Sequence, residues 1–371
     1  MLLLIPGPVQ TRAETRAAMA QDIAPWDLGF RAVYAGIRDD VRRIAGGVEG
    51  VHATLPLQGC GHFIMEAAIR TFVPVTGKLL IAHNGSYADR AVRLATEAGR
   101  QVVTLPGPDT RPVTAEEIGA ALAADPGITH VAIVHHETGS GIVNDPEVIG
   151  PVVRAAGRRL ILDSVSAFGA LPVNLAAHPE VDVVLFTSGK CLEGLPGIGF
   201  AVARIDSVLA AAGNAGSWSF DLSDVYQHAL RAGWGSFRFT PPVQALAAFR
   251  VALDAFAQEG GQPARLARYR ENCRVLYDGV KALGLTPYLE PRHQGPVIVT
   301  VHQPADPAFV LQGFVDALKA RGVLISNFHN TKAPSFRVGC VGAITPEDMR
   351  GAVAAIGGAL DDLGVRRREA A

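Results

Sequence analysis

Six short apolar runs, each closed by a glycine-rich or polar turn, recur between Lys78 and Ala203, and they constrain the fold more than any other feature. They are Lys78–His83, Gln101–Leu105, His130–His135, Leu160–Asp163, Val181–Phe186 and Gly199–Ala203. Helical patterns at 86–98, 114–124 and 145–156 separate several of them. Strands covered on both faces read as near-continuous apolar stretches, and parallel neighbours need a crossover, usually a helix, between them. The pattern therefore predicts an α/β fold: a mostly parallel sheet lying between two layers of helices.

Past Val243 the pattern changes. One helix over 243–258 ends at Gly260-Gly261. A helix (264–283), a strand (296–302), a helix (307–321), short strands near 323–326 and 335–339 and a last helix (346–363) follow, which predicts a smaller α+β domain. The expected division is an N-terminal segment (1–15), a large domain (16–255) and a small C-terminal domain (256–371). A chain of 371 residues with 49% apolar residues can bury cores of that size. Its net charge of −1, with both signs interleaved, gives no electrostatic case for nucleic acid or a membrane surface. The run Arg366-Arg367-Arg368 reads as a solvated tail. The opening MLLLIPGPV is too short an apolar run for a signal peptide or a span. Cys60, Cys191, Cys273 and Cys340 form no CxxC, so neither a zinc site nor a disulfide framework is expected, and a reducing cytoplasm suits the chain.

Open parallel sheets bind ligands at the carboxyl ends of their strands. Three groups stand there: Thr138-Gly139, Asp163 and Lys190. The chain has five lysines, Lys78, Lys190, Lys281, Lys319 and Lys332, and only Lys190 follows a strand through small residues (Thr187-Ser188-Gly189). A desolvated lysine is a nucleophilic amine for an aldehyde. Asp163 ends an apolar strand, and burying it calls for a cationic partner. An aldehyde and a protonated ring nitrogen together describe pyridoxal phosphate, in which the ring acts as an electron sink. Gln58-Gly59-Cys60-Gly61-His62 runs into a helical pattern, so its backbone N–H groups can receive a phosphate. The loop lacks GxGxxG spacing, which disfavours a nicotinamide cofactor. His135 and His136 point to opposite faces of a strand and have no completing ligands, so no metal is expected.

Taken in order, these residues resemble the class V branch of fold-type-I pyridoxal-phosphate enzymes, over nearly the whole chain. The resemblance rests on Leu4-Ile5-Pro6-Gly7-Pro8, Trp26-Asp27, Gln58-Gly59-x-Gly61, Asn84-Gly85-x-Tyr87 and His135-x-Glu137-Thr138. It continues through Asp163-Ser164, Lys190-Cys191-x-x-Gly194-x-Pro196-Gly197, Phe237-Arg238-Phe239-Thr240, Glu259-Gly260-Gly261, Arg268-Tyr269-x-x-Asn272 and Phe336-Arg337-Val338-Gly339. It implies that Lys190 carries the cofactor and shuttles a proton, and that Asp163 pairs with the ring nitrogen. It further implies that Gly59, Cys60, Gly61 and Thr240 hold the phosphate, with Thr240 reaching across from a second subunit of a homodimer. Tyr87 would stack on the ring, Thr138 would bond its 3-oxygen side, and His62 and Ser188 would complete the cofactor-binding set. Arg337 would clamp a substrate carboxylate. The implied reaction is ping-pong transamination between an amine donor and a 2-oxo acid, with 2-aminoethylphosphonate as donor and pyruvate as acceptor. The sequence departs from the usual pattern at Cys60-Gly61-His62, Gly189 and Thr240-Pro241-Pro242. The His62 departure gives the alternative, an alanine– or serine–glyoxylate reaction of the same class.

Overall fold

The computed structural model describes residues 1–366. The chain opens with β1 (Leu2–Leu3), α1 (Ala13–Ala17), α2 (Leu28–Ile44), β2 (His52–Gly59), α3 (Gly61–Phe72), β3 (Lys78–His83) and α4 (Ser86–Glu97). It continues with β4 (Gln101–Pro106), α5 (Ala115–Ala124), β5 (Ile128–Val134), α6 (Pro146–Ala155), β6 (Arg159–Asp163), β7 (Val181–Thr187) and β8 (Gly197–Arg204). Then come α7 (Ile205–Ala210), α8 (Leu222–Ala232), α9 (Val243–Glu259) and α10 (Gly261–Ala282). The chain closes with β9 (Ile298–His302), α11 (Leu311–Ala320), β10 (Val323–Leu324), β11 (Ser335–Gly339) and α12 (Pro346–Asp362).

The main sheet has seven strands in the order β2-β8-β7-β6-β5-β3-β4. β3 to β7 are parallel where they pair, and β8 runs against both β7 and β2. Six strands thus share one direction, and their carboxyl ends face one side of the molecule. Along each strand the side chains alternate between two cores. Leu80, Leu160 and Leu162 join the core covered by α2, α5, α6 and α9. Leu79, Ile81 and Ile161 join the core covered by α3, α4, α7 and α8. Phe168, Phe186, Phe200 and Phe249 stack in series from the sheet to α9, with successive ring centroids 3.7, 5.2 and 5.3 Å apart. Gly199 lets α3 lie close on β8, since a Cβ there would come within 2.8 Å of Ile64 Cβ.

β2 drew no strand expectation because Pro56 interrupts it. It is an edge strand, where a missing N–H can face outward. The helix expected over 307–321 begins only at Leu311. The Asp306 side chain accepts from Ala308 N (2.9 Å) and its carbonyl from Phe309 N (2.9 Å), so these groups close a turn in place of a helical one.

The C-terminal sheet is built partly from the chain's beginning. β9 and β11 are antiparallel, and β1 pairs parallel with β10. Gly339 N donates to Leu4 O at 2.7 Å, so residues 2–4 lie between β10 and β11, and Leu4 is fully buried in that core. Residues 2–4, expected in an N-terminal segment, therefore pair with strands from the C-terminal part of the chain. Of the C-terminal arginine run, Arg366 pairs with Asp306 at 2.9 Å, while Arg367 and Arg368 lie outside the described residues. No helix among the described residues is long and apolar enough to cross a membrane.

Candidate active site

A cavity of about 260 Å³ opens at the carboxyl ends of β6 and β7. Asp163 ends β6, and three residues beyond β7 comes Lys190, so register alone brings the acid and the amine to one place. The turn that carries Lys190 is tightly built. Ser188 Oγ donates to Leu195 O (2.5 Å), Gly194 N donates to Ser188 O (2.9 Å) and Glu193 N donates to Lys190 O (2.9 Å). A Cβ at Gly194 would lie 2.8 Å from Ser188 O and 2.7 Å from Phe249 Cδ2, so only glycine fits.

Glu193 adopts a left-handed backbone (φ 58°), which a non-glycine residue holds only when its surroundings enforce it. Helix α10 supplies that enforcement. Arg268 Nη2 (2.6 Å) and Tyr269 OH (2.8 Å) donate to the Glu193 carboxylate, and Arg265 Nη1 donates to Cys191 O (2.5 Å). Glu259 faces both arginines at 2.8 Å and is held low, to about 2, chiefly by the two guanidiniums working against burial. The Glu259, Arg265 and Arg268-Tyr269 motif thus braces the lysine turn from the end of α9 and the start of α10.

Lys190 Nζ donates to Pro6 O at 3.0 Å, and its side chain lies against Gly7, where no Cβ could fit. Burial pulls its pKa from 10.5 to about 8, with Arg337 and Arg90 adding to the fall. Asp163 is pushed the other way, to about 6, by burial. Its Oδ1 accepts from Val165 N (3.0 Å), and its carbonyl from His135 N (2.8 Å). Beneath it, Ser164 Oγ and His135 Nδ1 are 2.6 Å apart. A buried carboxyl and a buried amine, each moved toward neutrality, are the groups expected to complete their pairing with a ligand.

The opposite wall is the start of α3. Gly59, Cys60, Gly61 and His62 all line the cavity, and the Cys60 side chain makes no capping bond. The first N–H groups of a helix have no partner within it, so this end can receive an anion. A Cβ at Gly61 would lie 2.9 Å from Val165, so the helix start packs directly on the Asp163 turn. From the end of β3 come Tyr87 and Arg90, with the Arg90 guanidinium 4.7 Å from the Tyr87 ring centre. Glu137 ties this wall to β5: its carboxylate accepts from Tyr87 N (3.2 Å) and Gly139 N (2.8 Å), and burial raises its pKa to about 7.

Of the residues singled out in the sequence, Gly59, Cys60, Gly61, His62, Tyr87, Asp163 and Lys190 meet in this cavity. Ser188 does not, because its hydroxyl is turned inward onto Leu195 O. The Thr138 hydroxyl is also turned away, 2.7 Å from Ser166 Oγ. Its carbonyl accepts from Arg337 Nη1 at 2.7 Å. Arg337 is 3% exposed and stands behind the cavity wall, with its Nε unpartnered and its guanidinium 4.9 Å from the Phe328 ring centre. Thr240 is exposed on a neighbouring hollow, which shares only Gly59 and Gly197 with the lysine cavity. Trp26 is 74% exposed, and its neighbour Asp27 caps α2. Cys340 is fully buried in the small core. Sequence reasoning passed over Arg90 and Val165, and gave Gly7 and Thr187 no place in the site, yet all four line the cavity. The spacing Tyr87 to Arg90, one turn of a helix apart, was the available signal for Arg90.

The chain belongs to the class-V aminotransferase family, whose profile matches residues 27–342. Among its relatives, the 2-aminoethylphosphonate–pyruvate transaminase of Burkholderia pseudomallei (strain K96243) is 46% identical over 367 residues, covering 99% of this chain and 98% of that protein. The same-named protein of Burkholderia thailandensis is 47% identical over the same length. Among solved structures, pyridoxamine-pyruvate aminotransferase from Mesorhizobium loti superposes with a TM-score of 0.90 at 25% identity, over 99% of this chain and 93% of that one. Alanine–glyoxylate aminotransferase from Nostoc sp. gives 0.88 at 24% identity, over 97% of this chain and 95% of that one.

Proposed function

We infer that this aminotransferase uses pyridoxal phosphate to move an amino group from 2-aminoethylphosphonate to pyruvate, giving phosphonoacetaldehyde and alanine. The observation that carries the cofactor is the pairing of Lys190 and Asp163 at adjacent strand ends, in one cavity with the start of α3. The donor rests on near-full-length similarity to proteins of that activity.

The residues present fit the cofactor. The cavity offers a nucleophilic amine, a buried carboxyl with one oxygen free of any described partner, and a helix start without a side-chain cap. When bound, pyridoxal phosphate supplies a covalent handle for the substrate amine and a ring that accepts electrons from the carbon bearing it. Lys190 Nζ, its pKa lowered to about 8, would act as the base that takes a proton from that carbon and as the acid that gives it back. Asp163 holds a positive charge at the ring nitrogen, which restores its carboxylate form. The N–H groups at Gly61 and His62, aided by the α3 dipole, hold the phosphate. Tyr87 covers the ring, and Arg337 with its unpartnered Nε receives the acid group of the substrate. Thr240, outside its own subunit's cavity, serves the neighbouring phosphate in a homodimer. Four free cysteines suit a cytoplasmic setting.

The donor is tested by half-reactions. Holoenzyme is mixed with 2-aminoethylphosphonate, alanine or serine at equal concentration and no acceptor, and the long-wavelength absorbance of the bound cofactor is followed. The phosphonate should abolish it fastest, and pyruvate should restore it. Faster loss with alanine or serine would favour the glyoxylate-type reaction and refute the phosphonate donor.

A further inference from the structure

The mechanism above gives Arg90 nothing to do. It is an exposed residue of α4 whose guanidinium lines the lysine cavity. Its one described contact is the face of Tyr87, and it makes no hydrogen bond or ion pair among the described residues. The other arginines of α4 and its surroundings differ. Arg93, on the same helix, is bound to Glu97 at 2.8 Å, and Arg111 is bound to Glu117 at 2.7 Å. Nor does the neighbouring acid neutralise Arg90, because Asp89 faces His83 at 2.6 Å. Among the described residues, the only carboxylate that lines the cavity is Asp163, which the cofactor claims.

Arg337 is tied to the same wall: its Nη1 donates to Thr138 O at 2.7 Å, and the adjoining Glu137 carboxylate accepts from Tyr87 N at 3.2 Å. Arg337 keeps an unpartnered Nε and Arg90 has no ion-pair partner among the described residues, so both guanidiniums are left for a ligand. That arrangement is excessive for a carboxylate. A carboxylate has two coplanar oxygens and one charge, which a single fork satisfies. A phosphonate has three tetrahedral oxygens and up to two charges, and leaves an oxygen for a second donor.

We propose that Arg90 binds the phosphonate of the donor alongside Arg337, and so selects an aminophosphonate over an α-amino acid. This rests on the donor assigned above and deepens it: Arg337 serves both half-reactions, whereas Arg90 serves the phosphonate one.

The test uses the holoenzyme and three variants: Arg90→Gln, Arg90→Lys and, as a control, Arg93→Gln. Each half-reaction is followed separately. For Arg90→Gln the apparent Kd for 2-aminoethylphosphonate should rise about 10- to 100-fold, the range for losing one charge-assisted contact. That for pyruvate, measured on the aminated enzyme, should change less than about threefold. Arg90→Lys should recover part of the loss, and Arg93→Gln should match the wild type. Calorimetric titration with unreactive anions gives a second readout: Arg90→Gln should weaken ethylphosphonate but leave propionate nearly unchanged. Equal losses for both half-reactions and both anions would overturn the proposal and reduce Arg90 to a support for Tyr87. Weakened retention of the cofactor, with the phosphonate unaffected, would overturn it by placing Arg90 on the cofactor's phosphate. If wild-type enzyme ignores 2-aminoethylphosphonate altogether, the donor itself is wrong and this proposal falls with it. A reactive wild type with an unaffected Arg90→Gln removes this proposal alone.

Discussion

At the scale of single residues, the site depends on desolvation acting in opposite directions on two groups. Burial lowers Lys190 to about 8 and raises Asp163 to about 6. The neutral amine is the form that attacks an aldehyde, and a lowered pKa makes it abundant at lower pH. Covalent attachment of pyridoxal phosphate to apoenzyme should therefore accelerate as pH rises through about 8 and level off above it. Attachment rates that keep rising to the ordinary lysine range near 10.5 would contradict the burial argument. Lys190 and Asp163 were legible in the sequence because each breaks a local rule: a lysine amid small residues, and an acid closing an apolar strand. Arg90 was not, because an arginine on a polar helix face breaks none. The directions of the Ser188 and Thr138 hydroxyls were not legible, because sequence order cannot say which way a hydroxyl turns in a tight loop. Ser188 Oγ is turned inward onto Leu195 O, and Thr138 Oγ1 shares a hydrogen bond with Ser166 Oγ.

At the scale of elements, the strands of the parallel sheet were legible because burial on both faces writes an unbroken apolar run. Pro56 concealed β2, and the Asp306 turn delayed α11, since both are local interruptions whose tolerance depends on neighbours. The β3–α4 connection shows what such neighbours demand. Gly85 has an extended backbone (φ 174°) that any residue can adopt, so glycine is required there for space alone. A Cβ would press into the buried Glu137 side chain, which holds the N–H groups of Tyr87 and Gly139. Gly85→Ala should therefore destabilise the fold by about 1–3 kcal/mol through overpacking and should loosen the Tyr87 wall. Chemical denaturation measures the first effect. An unchanged midpoint would show that the Glu137 side chain yields without cost.

At the scale of the whole molecule, the surface around Thr240 bears on assembly. Trp218 (70% exposed), Phe239 (46%) and Phe63 (44%) leave large apolar groups uncovered around the hollow that borders the lysine cavity. Such exposure is typical of a surface that meets a partner. If Thr240 completes the neighbouring subunit's phosphate site, mixing Lys190→Ala with Thr240→Ala protomers creates heterodimers with one intact site. Activity above that of either parent should appear on subunit exchange; confirmed exchange without that gain would contradict a shared site. The expected division at 255/256 also bears on this scale. Residues 2–4 complete the C-terminal sheet, a long-range pairing that a two-residue strand cannot announce. The central claim, that Lys190 is the residue holding the cofactor, can be tested with every lysine of the full chain in competition. Holoenzyme is reduced with borohydride, digested, and its pyridoxyl-labelled peptide sequenced. One label per subunit should fall on Lys190, whereas label on Lys78, Lys281, Lys319 or Lys332 would contradict the account.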